Sequence, residues 1–514
     1  MAVGIFVSRI FGLVRVRVFS YYFGLESDAA DAFNAGFRIP NLLQNLFGEG
    51  ALSGSFIPVY AKLVGSGDER EADRVAGAIA GLLALTISVI VLVGVVAAPW
   101  LIDLIAPGFH GEKRELAVRI VRILFPGAGL LVMSAWCLGI LNSHHRFFLS
   151  YAAPVVWNVA MIGALAAFGG RVDLSRLAVL LAWASVVGSG LQVLVQLPAI
   201  SRLLTAFVPS VDVSSTHVRS VIRSFWPVLF SRGVVQISAY IDQFIGSLLP
   251  TGAVTGLTNA QLLYTLPVSL FGMSVSAAEL PAMSRAAGGD AEVAAQLRAR
   301  LAGGLQQVAF FVVPSAVAFA ALGDLVAGTI LQTGRFRPED ALYVWAILAG
   351  SAVGLLASTS ARLYASAFWA LRDTRTPLRF AIVRVVLTGA LGYLAALPLP
   401  LAIGIGTRWG AAGLTASAGI AGWVEFFLLR RGLGRRIGAV AMPRLLIPKL
   451  WTAAAVAAGV AWAIKLALPD VHPLIRGALT LGPYGVVYIA LTIALGIPQA
   501  HAVWRRLSRR STIR

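Results

Sequence analysis

Charged residues and cysteine are the two scarce classes in this chain. Only 13% of its 514 residues are charged, and cysteine occurs once, at Cys137. Soluble domains carry about 25% charged residues. A single cysteine excludes a disulfide framework and a thiolate metal site. Acidic residues are few as well, 23 against 42 Lys and Arg, for a net charge of +19. No G-x-x-x-x-G-K-[ST], G-x-S-x-G or H-E-x-x-H string occurs, which removes the motif-bearing nucleotidases, hydrolases and zinc proteases. The glycine runs GIGTRWG and GLGRRIG stand at the edges of apolar segments. His144-His145 is a loop pair whose adjacent side chains are poorly placed for one metal, and both are expected to be exposed. No enzyme activity, metal or cofactor is expected. Driving energy is expected from the membrane potential, from a Na+ or H+ gradient, or from substrate flow.

Apolar residues fill the space the charges leave. They make up 58% of the chain, and mean hydropathy is +0.81. A run of about 20 apolar residues spans a bilayer, and fourteen such runs can be placed between residues 4 and 497. The expected fold is therefore all-α, a polytopic membrane protein of 14 transmembrane helices. No small-residue cleavage motif follows the first run, so it is expected to be a span and not a signal peptide.

The excess positive charge is unevenly placed. If the N-terminus is cytoplasmic, the loops on its side and the C-terminal tail hold roughly three times as many Lys and Arg as the opposite loops. That bias puts both termini in the cytoplasm and argues against nucleic acid as a partner. It also sets the tail at 498–514 beside anionic lipids.

Landmarks recur at one fixed offset: Ser8-Arg9 with Ser231-Arg232, Pro58 with Pro281, Lys62 with Arg285, and Pro154 with Pro377. Repeated halves of this length are those of a transporter that rocks around a central site. Six spans fall in each half, 1–205 and 217–431, so an axis along the membrane normal should relate the two lobes. Two further spans, 446–468 and 475–497, lack a repeat partner and form an appendix, either as packing helices or as a lipid-facing groove. Kinks are expected at Pro40 and Pro267, four residues out of register, read as a one-turn insertion or deletion.

The second span, 31–48, continues as a more polar helix to about 62, and it places Asp31, Asn34, Arg38, Asn41 and Asn45 on one helical face. Charges inside a span cost about 2.5–3.5 kcal/mol each, so such a face turns towards a bundle interior or a wet cavity. The first span adds Arg9, which can snorkel from its end, mid-span Arg15, and Arg17 on another face. Arginine suits phosphate, because its planar fork donates bidentate bonds and stays charged. Arg15 and Arg38 therefore favour an anionic, phosphorylated substrate. The second half reads as less basic. Asp242 stands near Arg232, Gln236, Tyr240 and Gln243, where it would bind a cation or pair with Arg232. Asp373 would cap its helix or pair with Arg372, Arg375 or Arg379, or else serve a cation.

The strings SRIFGLVRVRVFSYYFG and DAFNAGFRIPNLLQNLFGEGALSGSFIPVYAK, with LPVSLFGMSVSAAELPAMSRA and FWALRDTRTP, resemble the MurJ (MviN) family of lipid II flippases, within the multidrug/oligosaccharidyl-lipid/polysaccharide exporter superfamily. The resemblance covers essentially the whole chain. It implies a 6+6+2 helix plan in a bacterial inner membrane. The implied function is alternating-access transfer of the undecaprenyl-diphosphate-linked peptidoglycan precursor from the inner to the outer leaflet, alongside cell-wall synthesis proteins. It implies cavity residues that handle the head group in the first two spans, where Ser8, Arg9, Arg15 and Asp31 match the family's functional positions and Glu49 its acidic residue, and a lipid-tail groove in the last two spans. Beside these, Arg38, Asn41 and Gln44 are expected to contact substrate with Ser8, Arg9 and Arg15, and Arg232 to share the cavity or gating charge of Asp31 and Glu49. The chain departs from the family pattern at Val16, at Gln44 where an arginine is common, and at Leu262 with Gln261 in span 8. Asp242 fits a sodium site known in some members. Two other expectations compete: an exporter of another polyprenyl-linked glycan or of drugs, and a non-transporting membrane scaffold.

Overall fold

The structure is a computed structural model describing residues 2–204, 206–285, 289–468, 471–501 and 505, with the side chains of 2–5, 49–50, 228, 230–239 and 290 left out. Among the described residues all regular secondary structure is helical, apart from one isolated bridge between Thr333 and Phe336. Contacts divide the chain into two units, Met1–Thr255 with Thr333–Phe336, and Gly256–Gln332 with Arg337–Arg514.

The first unit holds α1 (Ala2–Phe23), α2 (Asp28–Asn45), α3 (Ser53–Gly65), α4 (Glu69–Ile105), α5 (Gly111–Ser143), α6 (Phe147–Phe168), α7 (Leu174–Leu203) and α8 (Thr216–Ser247). Starts are written in the sequence: Ser27, Asp68 and Asp173 each accept a backbone N–H of the first turn, which satisfies a donor the helix cannot. Between α2 and α3 the chain runs as a π-helix over Leu46–Leu52, with Gly48 at φ −74°, ψ −111°. The helix thus continues past 48 as expected, but through a break. The segment joining α7 to α8 lies along the start of α4. Ala206 N donates to Asp73 (2.7 Å), Ser210 N to the Gly77 carbonyl (3.2 Å), and Arg74 pairs with Asp212 (2.7 Å). A Cβ on Gly77 or Gly81 would strike this strap's carbonyls, so the glycines admit it and it fixes where α8 begins. His144 is not exposed as expected. It is half-buried, with Nε2 2.9 Å from the Tyr60 hydroxyl of α3, and burial holds its imidazole below the usual pKa. His145 alone faces solvent.

The second unit holds α9 (Ala253–Pro267, joined from Gly256), α10 (Ser274–Ser284), α11 (Asp290–Leu331), α12 (Pro338–Ala370), α13 (Arg375–Ala396), the short α14 (Pro398–Ala402), α15 (Gly410–Ile437), α16 (Leu446–Ala467) and α17 (Pro473–Ala494). A second π-helix, Val268–Met273, separates α9 from α10. The two breaks begin at Leu46 and Val268, almost at the offset that relates the sequence landmarks. The halves therefore correspond at the break itself, and the inserted turn inferred from Pro40 and Pro267 is not needed. Pro267 adjoins its break, whereas Pro40 sits within α2. The last two helices pack on α11: Tyr484 and Tyr488 donate to the Pro314 and Phe310 carbonyls, both at 2.6 Å, and Lys465 pairs with Asp324 at 2.5 Å.

Counting each interrupted helix once, fourteen helical segments stand where spans were expected, among the described residues. Eleven of them are long and apolar enough to cross a bilayer, judged on the described residues. The other three are α1, α2 with α3, and α8, the segments carrying the charged and polar side chains discussed below.

Close approach of α12 to α15 depends on missing side chains: a Cβ on Gly354 would run into the backbone of Gly419. Small residues at such crossings are how membrane helices pack without a hydrophobic drive. Gly354→Leu should destabilise the purified protein by about 1–3 kcal/mol through overpacking. Gly459→Ala on α16, with nothing within 4 Å of the added methyl, should leave the thermal melting midpoint in detergent unchanged or slightly raised.

Candidate functional site

The polar residues of the first unit meet along α2, against α5, α8 and the segment 251–255, and where α1 faces α6. Asp31, one turn into α2, is 1% exposed. Its Oδ1 accepts from Thr255 N (2.9 Å) and Thr255 Oγ1 (2.7 Å), and its Oδ2 accepts from Gly252 N and Lys113 Nζ, both at 2.9 Å. Gly252 and Thr255 bracket the start of α9, so a carboxylate from another helix fills the role of an N-cap and meets the positive end of the helix dipole. Lys113 also reaches Asp28 at 3.0 Å and lies over the Phe109 ring. Gly252 has φ +96°, a backbone shape that glycine takes without strain.

One turn further along α2, Asn34 Nδ2 donates to Thr255 Oγ1 at 3.1 Å. A turn beyond that, Arg38 Nη1 donates to Gln243 Oε1 at 3.0 Å, and the Tyr240 hydroxyl donates to the Arg38 carbonyl at 3.1 Å. The charge of Asp242 acts on Arg38. The stripe read from sequence thus meets Lys113 and the start of α9 at Asp31 and Asn34, and α8 at Arg38. Asn41 and Gln44 on the same helix are half-buried, and Asn45 is exposed.

Arg15 is held differently. Its guanidinium carbon lies 4.8 Å from the centroid of the Trp157 ring on α6, and Nη1 stands 3.7 Å from the Met161 sulfur. Its Nε is buried with no hydrogen-bond partner, and no carboxylate pairs with it among the described residues. A cation over an indole face is attracted by the ring quadrupole, but such contacts leave its N–H donors free. Ser8 is half-buried and Arg9 exposed, near the other end of α1. The side chains of Glu49 and Arg232 lie outside the described residues.

Asp242 and Asp373 belong to different units. Asp373 caps α13, accepting from Arg375 N and Thr376 N at 3.0 Å and from Thr376 Oγ1 at 2.6 Å, and it pairs with Arg436 at 2.6 Å. The Thr376 hydroxyl bond leads in holding its carboxyl below the usual range. The capping expected of it is present, and its ion pair is with Arg436 rather than Arg372, Arg375 or Arg379. Among the described residues no group of three His, Cys, Asp or Glu side chains is placed to hold a metal ion.

Sequence reasoning did not pick out Lys113, Thr255 or Trp157. Lys113 and Thr255 had no signal of their own, because they stand 82 and 224 residues from Asp31, the side chain that uses them. Trp157 reads as one more apolar residue of span five. Only the demand for something to accommodate Arg15 could have pointed to it.

Comparison with known proteins gives the family of the chain. The model of the family described as "Lipid II flippase MurJ" matches residues 19–493. A lipid II flippase MurJ of Burkholderia cenocepacia is 32% identical over 84% of this chain and 82% of its own length. A probable lipid II flippase MurJ of Rhizobium meliloti is 29% identical over 98% of this chain and 94% of its own. Among solved structures, a lipid II flippase MurJ in an inward closed conformation superposes with a TM-score of 0.76 at 22% identity, covering 96% of this chain and 99% of that one. An inward-facing MATE family transporter of the MOP superfamily superposes with a TM-score of 0.65 at 17% identity, over 84% of this chain and 96% of that one. At those identities the two structures speak for the fold alone. The family model spans nearly the whole length and the Burkholderia relative matches along most of it, so this chain belongs to the MurJ family of lipid II flippases.

Proposed function

We propose that this chain carries lipid II, the undecaprenyl-diphosphate-linked peptidoglycan precursor, from the inner to the outer leaflet of a bacterial cytoplasmic membrane, with both termini in the cytoplasm. The observation that carries the reading is Arg15, a guanidinium inside the helical bundle with an unmatched N–H and no carboxylate partner among the described residues. A phosphate oxygen supplies what Trp157 and Met161 do not, a charged acceptor. Arg38, on the next helix of the chain, offers a second cation whose hydrogen-bond partner, Gln243, is neutral. Arg9, Ser8, Asn41 and Gln44 extend polar character from these two arginines; Glu49 is assigned to gating charge on the strength of the family pattern, and Arg232 on its place in the repeat.

Asp31 is best read as a latch. Its four donors come from the start of α9, from Thr255 and from Lys113, and an alternating-access cycle has to break them to open that end. We take the drive to be the membrane potential or a Na+ or H+ gradient, without a bound cofactor, and Asp242 to be the first candidate for a cation. A potential of 100 mV is worth about 2.3 kcal/mol per charge moved across. With the cytoplasm negative, it favours outward movement of an anionic head group. The basic tail would rest on anionic lipids, and cell-wall synthesis proteins are the natural neighbours.

Growth rescue of bacteria depleted of their own lipid II flippase tests this reading. The wild-type chain should rescue, whereas Arg15→Ala and Arg38→Ala should each fail with membrane levels unchanged by immunoblot. A scaffold would tolerate both. An exporter of drugs or of another glycan would insert but leave growth unrescued even as wild type. Asp31→Ala leaves the Gly252 and Thr255 backbone donors and the Thr255 hydroxyl unmatched, each worth about 1–3 kcal/mol, while Lys113 keeps Asp28. It should lower the detergent melting midpoint and abolish rescue, and Asp31→Asn, which keeps one acceptor, should fall between.

A further inference from the structure

The expectation of a less basic second half overlooks three charged side chains within the helices of the second unit. Arg362 lies eight residues before the end of α12, and Arg384 nine residues after the start of α13, so each is about 12–14 Å along its helix from the turn that joins them. That turn carries Asp373, tied to Arg436 of α15 at 2.6 Å. Glu425 precedes Arg436 by eleven residues, about 17 Å. The three groups therefore share one level, well inside the same end of the unit.

Their pairing is incomplete. Arg384 Nη1 stands 3.1 Å from Glu425 Oε2, while Arg384 Nε is buried with no hydrogen-bond partner. Arg362 interacts electrostatically with Arg384, Glu425 and Tyr264. It makes no ion pair among the described residues, and its side chain is exposed. Glu425 pairs with one guanidinium and acts on the other only through its charge, which leaves a positive charge in excess and the Arg384 Nε without an acceptor. An ordinary structural ion pair explains Arg384 with Glu425 but gives Arg362 nothing to do. Facing acyl chains, Arg362 would cost about 2.5–3.5 kcal/mol, and charges kept at such depths face water or a partner.

We propose that Arg362 and Arg384 form an anion site in the second unit that takes the diphosphate of the transported lipid, with Glu425 as a resident counter-ion that the diphosphate displaces. The inference rests on the lipid II reading above and deepens it. A diphosphate brings more charge and more acceptor oxygens than one carboxylate, and it matches the fork geometry of two arginines. Glu425 then does two things: it neutralises Arg384 while the site is empty, and it competes with the load, so binding stays reversible.

The test is binding of undecaprenyl diphosphate to the purified full-length chain in detergent, followed by native mass spectrometry, with undecaprenol as the uncharged control. R362Q should weaken undecaprenyl diphosphate binding about tenfold and leave undecaprenol unchanged. E425Q should strengthen it about threefold by removing the competitor. Because Arg362 makes no ion pair among the described residues, R362Q strands no carboxylate and should insert normally. If R384Q alone does not insert, R384Q/E425Q serves in its place and should bind more weakly than E425Q. Wild-type affinity in R362Q, or weaker binding in E425Q, overturns the proposal while the lipid II reading stands. No binding of undecaprenyl diphosphate by the wild-type chain sinks both.

Discussion

An ionised side chain within an acyl-chain layer costs about 2.5–3.5 kcal/mol on insertion scales, and the least apolar helices of this chain are organised by that cost. Each of three charges in α1 and α2 is met by a different device. Asp31 gathers four donors, two of them backbone N–H groups at a helix start. Arg38 takes a neutral amide and the nearby charge of Asp242. Arg15 has only a ring face and a thioether. The glycines at 77 and 81 and the strap they admit position α8, and so place the residues that receive the α2 stripe.

The same accounting applies to the backbone. A π-helical break frees N–H and C=O groups that lipid cannot satisfy, so it is tolerated only where neighbouring helices or water take them up. Both halves carry one at matching places, beginning at Leu46 and at Val268. The first follows directly on the polar stripe of α2, and Gly48 departs from helical backbone there against Ala135 of α5. A helix interrupted at a fixed point bends there more cheaply than elsewhere, which suits segments that must rearrange around a load.

Much of this was legible in the sequence, for definable reasons. Hydropathy placed the helices because span length is set by bilayer thickness. Periodicity placed Asp31, Asn34 and Arg38 on one face because about 3.6 residues complete a turn, and the structure gives all three polar partners, Arg38 on α8 and the other two at the start of α9. The offset anticipated the spacing of the two π breaks, Leu46 and Val268, but the prolines misjudged their place, since prolines mark only one way to interrupt a helix and the π stretch at Leu46 begins six residues after Pro40. The partners of Asp31 and Arg15 were out of reach because they depend on tertiary packing, which no local pattern encodes. His144 was misread for the same reason, its partner Tyr60 being 84 residues away. Arg362, Arg384 and Glu425 were legible by the same cost rule applied to α2. They were passed over because they stand singly in apolar helices and form no stripe.

In the proposed function, the contrast between Asp31 and Arg15 would order the transport cycle. Asp31 is saturated, and nothing anionic can add to it; releasing it forfeits several charge-assisted bonds of about 1.5–3 kcal/mol each, partly regained from water. Arg15 is unsaturated, and an arriving phosphate gains what its present neighbours withhold. A ligand shifts a conformational equilibrium only by its differential affinity for the two states. If the phosphate contacts strengthen as the bundle rearranges, the deficit at Arg15 becomes the source of the free energy that opens the latch at Asp31. An empty protein, lacking that gain, keeps the latch shut, and the membrane is not left with an open path when there is nothing to carry.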